Sequence, residues 1–137
     1  MATFNKFNAF VENVAEGVHN LGSGQLVVAL THTLPTASNS VLADISQITY
    51  TNLSSRNITT TSSAQTSGTY KLVLADLVLT ATGSVGPFRY VVIYNDTPTS
   101  PADPLIGWYD YGSSISLANS ETFTIDFDAA NGLLTIV

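Results

Sequence analysis

Apolar residues in the first part of the chain recur at steps of three and four. Phe4, Phe7, Phe10, Val11, Val14, Val18 and Leu21 fall on one stripe of a helix, with Glu12 and Glu16 on the other face. Thr3 stands where an N-cap would, and Gly22 and Gly24 stand where a helix would stop. The spacing predicts one amphipathic helix over about residues 3–21. Its stripe is expected to cover one side of the chain's own sheet; the alternative is a partner helix.

After Gly24 the period changes to two. Residues 25–31 read as a strand that is apolar on both faces at its centre, and residues 33–40, with Pro35, as a loop. Residues 44–50 read as a weaker strand, because Ile45 and Ile48 are out of phase. Residues 56–61 are Thr-rich and suit an edge strand, and residues 62–68 a polar connection. Residues 69–75 and 77–82 are apolar strands flanking Asp76, which marks a bulge or a kink. Residues 83–86 form a turn and residues 88–94 a buried strand.

Residues 97–104 hold Pro98, Pro101 and Pro104, and so form a stiff loop. Residues 105–111 alternate, with Leu105, Gly107, Tyr109 and Tyr111 on one face and Ile106, Trp108 and Asp110 on the other. Residues 114–117 are a short strand. Residues 121–127 alternate cleanly, Phe123, Ile125 and Phe127 against Thr122, Thr124 and Asp126. Asn131-Gly132 is a hairpin-turn signal before a closing strand at 133–137. The expected fold is mainly β: an antiparallel β-sandwich or jelly roll of about eight strands, preceded by one N-terminal amphipathic helix. It is expected as a single domain over 1–137, with the helix at about 3–21 and the β part at about 25–137.

Composition narrows the function classes. The chain has 137 residues and no cysteine, so it can bury a core without disulfides and has no thiolate chemistry. Four Lys/Arg stand against ten Asp/Glu. Lys6, Arg56, Lys71 and Arg89 are scattered, which argues against a nucleic-acid partner, because phosphate binding needs clustered cations. No run approaches the ~18 apolar residues of a membrane span, so no membrane partner is expected. Abundant Ser and Thr with few charges suit surfaces that must be desolvated, since neutral groups lose less on burial than ions do.

Candidate chemistry is thin, and the chain is expected not to be an enzyme. His19 and His32 are the only histidines, and neither has a second ligand at metal spacing. No nucleophile elbow and no phosphate-binding glycine loop occurs, and no cofactor is expected. Asp126 and Asp128 could pair as calcium ligands or as glycosidase carboxylates, or they could be strand-end carboxylates leading into a turn. Trp108, Tyr109 and Tyr111 could line a sugar platform or belong to core and rim.

The segments Gly86-Pro87-Phe88-Arg89-Tyr90-Val91-Val92-Ile93-Tyr94-Asn95-Asp96 and Leu105-Ile106-Gly107-Trp108-Tyr109-Asp110-Tyr111-Gly112 carry a resemblance, together with Phe4-Asn5-Lys6-Phe7 and Val18-His19-Asn20-Leu21-Gly22. Through them the chain resembles small virion structural proteins of tailed bacteriophages, and among these it is similar to capsid decoration, or cement, proteins. The resemblance covers most of the chain and is weakest over 49–65. It implies a protein on the outer surface of the capsid that binds the major capsid protein, bridges its subunits and forms a homo-oligomer, a dimer or trimer. The alternatives are a tail, neck or fibre component, and a carbohydrate-binding β-sandwich for host attachment. The expected interface residues are Pro98, Pro101 and Pro104 of the stiff loop, with the aromatic anchors Trp108 and Tyr109 that follow it.

Overall fold

The computed structural model describes residues 2–137. The strands are β1 (Asn5–Lys6), β2 (Leu26–Thr31), β3 (Thr60–Thr66), β4 (Thr69–Leu74), β5 (Leu77–Thr80), β6 (Val85–Asn95), β7 (Leu105–Leu117), β8 (Thr122–Ile125) and β9 (Leu134–Ile136). One helix, α1 (Asn8–Ala15), follows β1. The fold is mainly β, with one short helix. The strands form a four-stranded sheet in the order β1-β7-β6-β2, a three-stranded sheet β3-β4-β9 and a pair β5-β8. Every pairing is antiparallel.

The helix is much shorter than its apolar stripe predicts. Phe4 packs against the main core, while Phe7 is buried in a separate cluster. A helical stripe would hold both on one side. Instead Asn5 and Lys6 pair with Trp108 and Gly107 at the edge of the sheet, and the two phenylalanines reach opposite sides of it. Gly107 permits this, because a Cβ there would lie 2.6 Å from the Asn5 carbonyl and would strike the Phe4 ring. Phe7, in extended conformation, stands at the N-cap in place of Thr3. The stop is Gly17 rather than Gly22 or Gly24. At φ +77° it lets the Val18 N–H reach Asn13 O at 2.8 Å and its own N–H reach Val14 O at 3.2 Å. Val11, on the expected apolar stripe, is 52% exposed.

Strand β2 is buried along its whole length, as its continuous apolar run predicts. Leu26, Val28 and Leu30 enter the main cluster, and Val27 and Ala29 the second one. On β6, Val91 and Ile93 face the main cluster while Val92 and Tyr94 face the second. The four-stranded sheet is therefore covered on both sides. Its inner face meets Leu72 and Leu74 of β4, Leu79 of β5 and Ile125 of β8, with Phe88 and Phe127 in the same core. Its outer face is covered by Phe7, Leu42 and Ile45.

Four other expectations change. Residues 44–50 are not a strand: Leu42–Asp44 is a single 3-10 turn, and only Gln47 bridges, to Thr31. The phase mismatch has a cause, since Ile45 enters the outer cluster while Ile48 packs on the inner one. The polar connection at 62–68 is instead most of β3 and a tight turn at Ser67-Gly68, both with positive φ. The alternation at 105–111 slips by one residue. Ile93 pairs with Gly107 and Tyr94 with Leu105, which leaves Ile106 as the extra residue of a bulge. Leu105 thus joins Trp108 on the outer face, and Ile106 joins Tyr109 in the main core. Finally, Asn131-Gly132 closes no hairpin, because β8 pairs with β5 and β9 with β4.

Candidate functional site

The outer face is sealed by irregular chain. Residues 32–46 leave the end of β2 and return to it, and the neck of this loop is tied by one buried side chain. Thr31 Oγ1 donates to Ser46 O at 2.6 Å and accepts from Thr33 N–H at 3.1 Å. Within the loop, Asp44 Oδ2 accepts from the N–H groups of Ser40 (2.9 Å) and Val41 (3.3 Å). These bonds hold the Asp44 carboxyl below its usual pKa, the Ser40 bond most strongly. The Asn8 N–H donates to Ala37 O at 2.9 Å, which fastens the loop to the start of α1. The backbone groups of this compact loop are thus satisfied without a ladder.

The proline loop at 97–104 is joined to it. Leu42 N–H donates to Asp103 O and Leu105 N–H to Ser40 O, both at 3.0 Å, and Val41 bridges Pro104. At its other end, Thr97 Oγ1 accepts from Gln25 N–H at 2.9 Å, and Asn95 Oδ1 accepts from Thr97 N–H at 3.1 Å. Residues 32–40 and 97–102 contain no Asp, Glu, Lys or Arg, and most of them are exposed, including Leu34 at 60%. Asp103 lies at the rim. Burial and the adjacent Asp96 carboxylate push its carboxyl above the ordinary range.

The five expected interface residues do not form one patch. Pro101 is exposed, Pro98 half-buried and Pro104 buried. Trp108 is half-buried beneath the loop layer, its ring 4.7 Å from that of Phe7. Tyr109 is buried on the opposite face of the sheet. The sugar platform of Trp108, Tyr109 and Tyr111 is divided in the same way. Tyr109 and Tyr111 line a cleft with Phe123, Ile125 and Asp126, and Trp108 is absent from it. The sequence places Phe123 only on one face of an alternating strand; its place beside Tyr111 depends on how β8 packs.

The remaining candidates resolve individually. Asp126 and Asp128 lie beyond the end of β8 and build a turn. Asp126 Oδ1 accepts from Asp128 N–H at 2.8 Å, and Asp128 Oδ2 accepts from Asn131 Nδ2 at 2.8 Å. Among the described residues no group of three or more His, Cys, Asp or Glu could hold a metal ion. His32 is exposed. His19 is 8% exposed and stacks near Phe10 at 5.2 Å. Its Nδ1 faces Asn95 Nδ2 at 3.2 Å. Because Asn95 Oδ1 is taken by the Thr97 N–H, the amide must donate, so Nδ1 accepts and Nε2 carries the proton. That Nε2 is buried without a partner, and burial lowers the pKa of the ring to about 4. No protein-family model, curated protein or solved structure matches the chain.

Proposed function

We propose that the chain is a structural binding module of a tailed-phage particle, a decoration protein on the outer capsid shell that bridges major capsid subunits. The observation that carries this reading is the joined loop surface of residues 32–46 and 97–104. It is exposed and free of formal charge over 32–40 and 97–102, and its backbone is already held by hydrogen bonds. A surface of neutral groups loses little on desolvation, and a pre-ordered loop loses little entropy on docking. Both properties suit a protein that must cover seams between large subunits. The resemblance carried by residues 86–96 and 105–112 supports the same reading.

The stacking of the four-stranded sheet on β3-β4-β9 and β5-β8 is read here as a β-sandwich. Strand β3 pairs with β4 alone, and from Thr61 to Thr66 it is exposed, without Lys or Pro to block further pairing. That edge favours a homo-oligomer.

The test replaces residues 99–103 with a Gly/Ser linker of equal length and follows occupancy on particles. The variant is first checked for an unchanged melting transition. The expected result is a folded protein that decorates poorly. Undiminished occupancy would overturn the docking role of the loop surface. Density mapped to the neck or tail, at a copy number below that of the shell subunits, would overturn the shell placement.

A further inference from the structure

The cleft beside β7 and β8 has about 320 Å³ of accessible space, near the lower end of the range typical of small-molecule sites, about 300–1,000 Å³. Tyr109, Tyr111 and Phe123 supply aromatic walls, Ala2, Val91 and Ile125 add aliphatic surface, and among the described residues Asp126 is the only charged group lining it. Tyr111 is 54% exposed, and its ring lies 5.5 Å from that of Phe123 at 61°. Aromatic faces are electronegative, so rings and carboxylate act with the same sign.

None of the four basic side chains neutralises this cleft. Arg89 pairs with Asp110 at 2.8 Å, Arg56 lies over the Tyr50 ring, and Lys71 reaches Ala130 O. Lys6 lines a separate groove beside α1 and β9. The buried Tyr109 also lines the cleft. Burial, then the Asp126 and Asp128 carboxylates, push its hydroxyl up to about 12, so it stays a neutral donor or acceptor.

We propose that this cleft binds a small organic cation, an alkylammonium or quaternary ammonium headgroup seated against Tyr111 and Phe123 and facing the Asp126 carboxylate. A bare metal ion would need several oxygen ligands, and a single carboxylate lines the cleft. A neutral sugar could use the rings but would gain nothing from the charge of the carboxylate. The site is independent of the loop surface and does not rest on the shell-binding reading.

The probe pair is choline and 3,3-dimethylbutan-1-ol, which share shape and differ in charge, titrated into the full chain and followed by amide NMR. Choline is expected to shift the Tyr111, Phe123 and Asp126 signals saturably, and the neutral isostere to bind about tenfold more weakly. Asp126→Asn keeps an oxygen for the Asp128 N–H and should weaken choline about tenfold. Tyr111→Leu, at an exposed position, should weaken it several-fold without moving the melting midpoint, and it decides the matter should Asp126→Asn fail to fold. Equal affinity for choline and its isostere would overturn the proposal. So would the absence of shifts at the cleft, full affinity in either variant, or a methyl glucoside that binds as well as choline.

Discussion

The two faces of the four-stranded sheet are sealed by different means. The inner face is covered by other strands, whose backbone groups pair in ladders and whose side chains interlock around Phe88, Leu72 and Phe127. The outer face is covered by Phe7 and by a loop that has no ladder. Its backbone is satisfied instead by scattered contacts, from the Thr31 and Asp44 side chains and from single backbone bonds to Asn8, Asp103 and Leu105. The single buried side-chain atom left without a partner among the described residues, His19 Nε2, lies on the inner side, beside Phe10. Regular structure thus concentrates burial, while irregular structure depends on individual polar contacts. The inner layer should unfold as a unit, and the outer one should loosen locally.

The largest effect should come from paired core truncations. Phe88→Ala is expected to cost about 4 kcal/mol and Phe7→Ala about 3 kcal/mol in denaturant melts. Hydrogen exchange should separate them. The first should speed exchange throughout the sheets, the second first in residues 32–46. A Phe7→Ala protein that melts like wild type would remove the outer layer from the core.

His19 probes the unsatisfied point of the inner side. The unfolded ring takes a proton below about pH 6.5, while the folded one resists until about 4. Between those values the unfolded state binds more protons, so its contribution is complete above 6.5 and declines as pH falls to 4. The loss is about 2 kcal/mol once solvent at the edge of the ring is allowed for. His19→Gln should flatten the pH dependence of the melting midpoint between pH 6.5 and 5, above the range where carboxylates titrate. An unchanged slope would mean that the ring is not held neutral.

Thr31→Val is the mildest change and the most local. It removes the hydroxyl that ties both ends of the loop and should cost about 1–2 kcal/mol. Exchange in residues 32–46 should accelerate while β6 and β7 stay protected. Acceleration in β6 would show that the loop and the sheet open together.

Where local pattern and tertiary demand agreed, the chain was legible. The continuous apolar run of β2, the buried β6 and the alternation of β8 appear at the expected places, because their periods reflect one or two buried faces. The polar β3 was missed, because both of its faces meet solvent and no alternation is written into it. The site was less legible than the fold. Trp108 and Tyr109 are neighbours in sequence, yet strand geometry sends them to opposite faces, and the bulge at Ile106 decides which.

The amino-acid sequence by itself determined that this is a mainly β chain with one helix near its start, few charges and a stiff proline loop. Those properties are local, set by side-chain period, by proline and by composition. The tertiary structure decided where the helix begins and ends, which strands become partners, and that residues 44–50 form no strand. It also brought Phe123 of β8 to Tyr111 of β7. Each of those outcomes depends on contacts between residues far apart in the chain, and a pairing across the sheet outweighs the weaker preference of either segment alone.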